Sequence, residues 1–449
     1  MPRRLNGRSP WLIRITKVTS GNRPPGCPLV GKGMIVYMDN MNTTPVSSRL
    51  HIGVFGRRNA GKSSIINALT KQPAALVSPV PGTTTDPVFK TMELLPLGPV
   101  VLIDTAGLDD EGDLGEMRIK RTNDVLNSTD VAIMLVDAMI GVTDFEIKLA
   151  GIIREKNIPV IIALNKIDAS ADEEIQLEKW QDVLGQGLIK ISAETGTGID
   201  ELIQEIIKAA PGEALEISLV GDLVKPGDFA VLVVPIDSAA PKGRLILPQQ
   251  QVIRDILEHA AISVVTKETE LKQTLAGLSK KPTIVITDSQ AFHQVAAETP
   301  LDISLTSFSI IMARQKGDLV ELVKGAAAVK NLNPGDRVLI AEGCTHHHQE
   351  DDIGRVKIPK WLEKAVEGKL EFEWYTGRGF PANLKSYKLI VHCGACMLNR
   401  KEMLHRLSKA RASKVPMVNY GVLIAYLHGI LPRALDSFPE ASAILKELG

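Results

Sequence analysis

The sequence predicts an α/β protein, a doubly wound parallel sheet followed by two smaller α/β domains. Short apolar runs such as Val131–Asp137 and Val160–Leu164 alternate with amphipathic stretches of helical length, the pattern of strands buried on both faces. The conspicuous motifs all fall directly after such runs, at the carboxyl ends of strands, where a parallel sheet holds its ligands. The chain has 449 residues, too many for one core, and length alone suggests about three domains. Its 44% hydrophobic and 23% charged residues are ordinary for a water-soluble chain. The formal net charge is zero, so no global field favours nucleic acid or an acidic membrane. The longest apolar run, Met417 to Leu431, is broken by Asn419, Gly421, His428 and Gly429, and falls short of the roughly 20 residues of a spanning helix. Four cysteines make no disulfide framework in a chain this size, which points to a reducing compartment, the cytoplasm.

Residues 1–45 read apart from the rest. Arg3, Arg4, Arg8, Arg14, Lys17, Arg23 and Lys32 precede the first acid, Asp39, and Gly and Pro break any helix. Neither the apolar core nor the cleavage site of a secretory signal is visible. An upstream-extended start, with Met34, Met38 or Met41 as initiator, is the favoured reading over a targeting peptide. The segment is expected to be disordered and its Cys27 to have no role.

Residues 46–213 carry the first domain. Leu50 to Phe55 is an apolar strand, and Gly56-Arg-Arg-Asn-Ala-Gly-Lys-Ser63 follows as G-x-x-x-x-G-K-[ST]. Ser64 onward reads as a helix, so its N-terminal N–H groups and those of Asn59, Ala60 and Gly61 converge on a phosphate. Gly56 and Gly61 permit a backbone approach that a Cβ would block. Lys62 is placed to reach the β- and γ-phosphates, and the Ser63 hydroxyl to ligate Mg²⁺. The strand Val100 to Asp104 runs into Asp104-Thr-Ala-Gly107, where Asp104 can hold the Mg²⁺ water shell and the Gly107 N–H can meet the γ-phosphate. Val160 to Asp168 runs into Asn165-Lys-Ile-Asp168. Asp168 can accept from the N1 and N2 donors of guanine, whereas adenine has no such donor pair, so a buried carboxylate here selects GTP. Asn165 and Lys166 pin the loop and flank the base, backed by Ser192 and Ala193 after the strand that starts at Leu188. Each tetrapeptide alone is weak; their order and spacing together are specific.

These motifs resemble the TrmE–Era branch of the translation-factor-like GTPases. The resemblance makes Gly82-Thr-Thr-Thr-Asp86 the first switch loop, with Thr84 on Mg²⁺. It assigns Asn59 to an activating K⁺. Leu108 stands where Ras-like relatives have the water-positioning Gln, and Glu116 lies at the spacing of the Glu that takes part in catalysis in a relative with the same lesion; a solvated helix-face acid is the other reading of Glu116.

Residues 221–303 repeat an α/β rhythm without nucleotide motifs: strands at Phe229–Pro235, Ile262–Thr266 and Thr283–Thr287, with helices from Pro248 and Glu270. A packing or assembly module is the default reading. Lys242, Gly243 and Arg244 read as an exposed loop, with a basic anion-binding turn as the alternative. Residues 304–449 are expected to open with helix from Leu305 to Leu332, interrupted near Lys316-Gly-Asp. A strand then leads into Gly343-Cys344-Thr-His346-His347-His348, and another, from Tyr387, into His392-Cys393-Gly-Ala-Cys396. Both cysteine loops leave strand ends and can converge at one sheet edge. Thiolates with imidazole favour either zinc or iron–sulfur. Cys344, His346, Cys393 and Cys396 could complete a structural zinc site, and His392 is either a ligand or an outer partner.

The whole pattern, from residue 46 to the C-terminus, resembles the HydF family of FeFe-hydrogenase maturation GTPases. The resemblance implies a dimerising middle domain and a 4Fe–4S cluster on Cys344, Cys393 and Cys396, with an exchangeable or histidine-held fourth iron. It implies a scaffold that passes a diiron precursor to the apo-hydrogenase, with the radical-enzyme maturases HydE and HydG upstream, and no membrane or nucleic-acid partner. The alternative class is a TrmE–Era-like GTPase with a structural zinc domain that acts on RNA or ribosomes.

Overall fold

The computed structural model describes residues 46–70, 78–79, 88–105, 122–169, 174–211, 218–236, 245–343, 352–377, 380–381, 383–395 and 397–448. Three sheets lie within one compact unit, Thr44–Gly449. The first has the order β2-β3-β4-β1-β5-β6-β7. Its strands are β1 (Leu50–Gly56), β2 (Ser78–Pro79), β3 (Val88–Leu94), β4 (Gly98–Asp104), β5 (Val131–Asp137), β6 (Val160–Asn165) and β7 (Leu188–Lys190). β1 pairs in parallel with β4 on one side and β5 on the other, so the chain reverses its winding direction at β1. That reversal opens a crevice beyond the carboxyl end of β1. All seven residues of β5 are buried, as both-face coverage by helices requires. Each such aliphatic side chain contributes about 1.5–3 kcal/mol by leaving water.

One edge departs from the all-parallel expectation. β3 pairs antiparallel with β4, and β2 antiparallel with β3. Only three of β3's seven residues are buried, so it lacked the continuous apolar signal that marks β1, β5 and β6.

The second sheet has the order β11-β10-β8-β9, all parallel, from β8 (Phe229–Val233), β9 (Ile262–Thr266), β10 (Ile284–Thr287) and β11 (Ser304–Ser307). β11 corrects the reading of Leu305 onward as helix: Ser304–Ser307 pairs with β10, and the helix starts at Phe308, capped by the Ser307 side chain. The middle sheet therefore runs four residues past the boundary expected at 303. A four-residue strand of mixed polarity abutting a helix has no period of its own to read.

The third sheet has the order β13-β12-β14-β15, again all parallel, from β12 (Arg337–Glu342), β13 (Glu371–Thr376), β14 (Leu389–His392) and β15 (Met417–Asn419). Its winding reverses between β12 and β14, the two strands that lead into the cysteine motifs. The apolar cores of the second and third sheets are continuous, running from Leu219 to Ala441. Among the described residues no helix is long and apolar enough to cross a membrane.

The nucleotide-binding sheet meets the other two through polar contacts at its entry and at the turn before β5. Lys316 is buried, and its ammonium donates to the Ser47 carbonyl, the Ser47 hydroxyl and the Leu398 carbonyl. Asn399 donates to the Ser128 carbonyl at 2.8 Å while its oxygen caps the helix Arg400–Ala412. Nearby, Asp130 accepts from the His51 N–H at 2.8 Å.

This junction is expected to titrate in two opposed directions. Burial raises the Asp130 carboxyl from 3.8 to about 6, against the pull of the His51 N–H and Lys401. The unfolded chain thus loses that proton first, and the Asp130 contribution falls as pH climbs from 3.8 through 6. Burial, with Lys156, Lys409 and Arg406, holds His405 down to about 4, so its contribution is lost as pH falls from 6.5 through 4. In Asp130→Asn the thermal midpoint should fall more steeply than in the parent between pH 6.5 and 4; in His405→Gln it should fall less steeply or rise. Parallel slopes for parent and variants would disprove the assignment.

Candidate functional site: a nucleotide cradle and a cysteine-bearing strand crevice

The loop after β1 adopts the phosphate-cradling form. Gly56 has φ +145°, Asn59 +62° and Gly61 +93°. A Cβ on Gly56 would stand 2.6 Å from the Leu135 carbonyl oxygen, and one on Gly61 would strike the Asn165 amide, so both positions need glycine. The helix Lys62–Thr70 begins at once, aiming its first N–H groups along the loop. Lys62 is buried, with its ammonium 2.6 Å from the Gly56 carbonyl oxygen and 2.8 Å from that of Arg57. Ser63 donates to Asp104 Oδ2 at 2.7 Å. The hydroxyl and carboxylate read as the Mg²⁺ ligand and its water-shell partner therefore meet, although 41 residues separate them.

Asn165 holds the base side of the cradle to the phosphate side. Its amide donates to the Ala60 carbonyl at 2.8 Å, and its oxygen accepts from the Ala193 N–H at 3.1 Å. Lys166, at φ +69°, pairs with Asp137 at 2.6 Å. Ser192 is fully buried and accepts from the Thr195 N–H. Asp168 lies in the short turn Ile167–Ala169 and is exposed, where the sequence reading had placed a buried acceptor. The carboxylate sits on a rim, so a base laid against it would itself provide the cover. Ser64 faces outward from the first helical turn. Thr84, Gly107, Leu108 and Glu116 lie outside the described residues, as do residues 1–45 and the turn at Lys242–Arg244.

Sequence reading missed the brace beneath this loop. Arg57 donates to both oxygens of Glu146, at 3.0 and 2.7 Å, and to the Thr143 hydroxyl. Glu146 is buried and also closes a capping box with Thr143 at the start of the helix Asp144–Glu155. The spacing Thr-x-x-Glu was the available signal.

The second cluster lies at the winding reversal of the third sheet. Cys393 follows β14, and its sulfur accepts from the Gly343 N–H at 3.1 Å, just beyond β12. Ala395, between the two cysteine positions, is buried with φ +54°. Cys344, His346, His347, His348 and Cys396 lie outside the described residues. Among the described residues there is no group of three or more metal-ligating side chains. Those present nevertheless suit a metal. Glu342, 1% exposed, accepts from the Tyr420 hydroxyl at 3.3 Å through Oε1, while its buried Oε2 has no hydrogen-bond partner among the described residues. An unsatisfied buried carboxylate oxygen is costly unless a cation or proton answers it. Gly354, in a π-helical turn (Ile353–Lys357), makes room for this pair: a Cβ there would strike the Tyr420 hydroxyl and approach Glu342 Oε1 to 2.9 Å. The Tyr420 hydroxyl is pushed far above its ordinary range by burial, Glu342 and Cys393, so it stays a proton donor. Glu342 went unremarked in the sequence, although an acid closing the apolar run Val338–Ala341 two residues before a cysteine was the sign.

His392 is fully buried, and both its ring nitrogens are engaged, Nδ1 with the Cys393 carbonyl and Nε2 with Arg406. Neither ring nitrogen is therefore turned toward a ligand in this structure.

A strand–loop–helix phosphate cradle, an Asp meeting the loop serine and an Asn-Lys-x-Asp base turn define a P-loop GTPase domain, here joined to two further parallel α/β domains. The chain belongs to the hydrogen maturase F family. Residues 219–317 match the hydrogen maturase F dimerization domain and residues 320–437 its tetramerization domain, while 51–166 match a domain described as 50S ribosome-binding GTPase. The tRNA modification GTPase MnmE of Aquifex aeolicus is 35% identical over 158 residues, 35% of this chain and 34% of that one. The GTPase Der of Hyphomonas neptunium is 37% identical over 172 residues, 38% and 33% of the two. The chain thus spans about a third of the length of these relatives. Among solved structures, the G domain of the T. maritima FeoB iron transporter is 27% identical with a TM-score of 0.28, covering 36% of this chain and 98% of that one. Aquifex aeolicus Era, bound to GDP and aluminium fluoride, is 20% identical with a TM-score of 0.31, covering 55% and 97%. At such TM-scores neither likeness carries weight.

Proposed function

We propose that this protein is a GTP-hydrolysing scaffold for assembling the FeFe-hydrogenase active-site cluster. The observation that carries the nucleotide half is Asn165, whose two hydrogen bonds fix the base turn to the phosphate loop. Gly56, Asn59, Ala60, Gly61, Ser64 and Gly107 line the phosphates with main chain, and Lys62 neutralises charge on the transferring group. Ser63 and Thr84 hold Mg²⁺ with Asp104 behind them, and Asn59 faces K⁺. Ser192 and Ala193 back the guanine that Asp168 reads. With Leu108 in place of a water-orienting amide, turnover is slow, and Glu116 assists it.

The metal half is supported by Cys393 and Glu342 at one strand reversal inside a maturase-family domain. A 4Fe–4S cluster would be held there by Cys344, Cys393 and Cys396 and would supply one iron open to a diiron unit. His346 and Glu342 are the side chains that could hold that iron weakly between deliveries. The apo-hydrogenase receives the diiron cargo, and HydE and HydG act upstream. Two copies associate through the middle domain, whose edge strand β9 leaves Ile262 and Val265 exposed.

Base reading is tested at Asp168. Asp168→Asn should turn the preference of the GTPase from guanosine toward xanthosine triphosphate by several orders of magnitude. A variant that hydrolyses GTP like the parent and still rejects the xanthosine nucleotide would disprove the assignment. The same assay run in potassium and in sodium should be faster in potassium; equal rates would remove Asn59 from the ion site. For the metal half, protein made and handled without oxygen should contain iron and acid-labile sulfide. Stoichiometric zinc instead would favour the RNA- or ribosome-directed alternative.

A further inference from the structure

Behind Cys393 runs a buried relay that begins on the helix Arg400–Ala412. Arg406 is 1% exposed. Its Nε donates to Glu402 Oε1 at 3.0 Å, its Nη2 to the Gly377 carbonyl at 3.4 Å, and its Nη1 lies 3.0 Å from His392 Nε2. The guanidinium also lies over the Phe380 ring, 5.2 Å from its centroid. A guanidinium has donors and no acceptor, so His392 Nε2 must accept. An accepting Nε2 carries no proton, so the buried imidazole is neutral. Its one proton then resides on Nδ1, which donates to the Cys393 carbonyl at 2.8 Å.

The placement does more than bury a charge. Glu402 answers the cation, and the other N–H groups reach the ends of the strands on either side of β12. Gly377 follows β13 and donates its own N–H to the Glu342 carbonyl at 2.9 Å; His392 ends β14. The residue after β12, Gly343, is the one whose N–H meets the cysteine sulfur. One side chain therefore ties together the ends of β13 and β14, and Gly377 links them by its main chain to the end of β12. Burying an arginine costs several kcal/mol in desolvation, which an apolar residue of similar volume would avoid.

We propose that Arg406 is a positioning residue for the Cys393 thiol, acting through the His392 ring, which it locks into a single tautomer. The proposal rests on the reading of Cys393 as a metal ligand. It is tested on the full chain labelled with ¹⁵N-histidine, with His392→Gln assigning the His392 resonances by their loss. In the parent, His392 should be neutral and protonated at Nδ1. Arg406→Met should give mixed tautomers. After anaerobic reconstitution with Fe(II) and sulfide, it should hold iron against a chelator roughly 10- to 100-fold less well, the usual cost of losing an outer partner. GTP turnover, which belongs to another sheet, should not change. Arg406→Lys, which keeps a cationic donor, should restore the tautomer and most of the iron retention. A pure Nδ1–H tautomer in Arg406→Met, or iron retention equal to the parent's, would overturn the proposal. His392→Gln, which keeps Arg406 and its ion pair, should lose iron to the same extent even if Arg406→Met does not fold; full retention there overturns it equally. Cys393→Ser run alongside separates the two ideas: if it keeps iron like the parent, the ligand reading itself fails.

Discussion

Lys62→Ala is expected to lower kcat/KM for GTP by about 10³-fold or more. The magnitude follows from where the ammonium sits. It is buried within the loop, 2.6 and 2.8 Å from the Gly56 and Arg57 carbonyl oxygens, so it is held before any nucleotide arrives. A positioned charge in a site shielded from water does more for a developing anion than a mobile one, because no reorganisation is left to do. Alanine removes the charge and also the tie that keeps the loop closed around its own carbonyls. The Arg57–Glu146 brace and the Asn165–Ala60 bond remain, so the variant should fold. Turnover within tenfold of the parent, with unchanged circular dichroism, would show that the loop is not the phosphate site.

Cys393→Ser is expected to abolish the cluster and hydrogenase activation together while leaving GTP turnover intact. Serine can keep the hydrogen bond from the Gly343 N–H, so the crevice should hold its shape. It cannot supply a thiolate, and an alcohol near neutral pH is a poor ligand for iron. The nucleotide cradle belongs to a different sheet with its own cores, so kcat for GTP serves as an internal control. Parallel electron paramagnetic resonance and activation assays decide the matter. An unchanged cluster signal in the serine variant would leave the scaffold reading without its centre.

Much of this protein was legible in its residues because the information is local. A glycine-rich turn after an apolar strand can do little except present main-chain N–H groups, and the carboxylate of Asn-Lys-x-Asp after another strand offers an acceptor that suits the donor pair of one base alone. Parallel pairing followed from apolar runs too long and continuous for a half-exposed sheet. The resemblance of the distant cysteine motifs to a known family extended that reading to the C-terminus.

What the chain could not declare in sequence is whatever depends on a second segment far away. β3 and β11 were missed because their partners, not their own periodicity, make them strands. Asp168 looked like a buried acceptor, and only the folded turn shows it on the rim. Glu342 is notable because Tyr420 satisfies one of its buried oxygens and no other described residue answers the second. That Arg406, fourteen residues on, would meet the His392 Nε2 could not be read from either segment alone. The sequence by itself determined which chemical groups stand at strand ends, because strand and loop are decided by neighbouring residues. The tertiary structure alone decided which of those groups are buried, satisfied or left with an open valence, because burial and hydrogen bonding are settled by what packs against them.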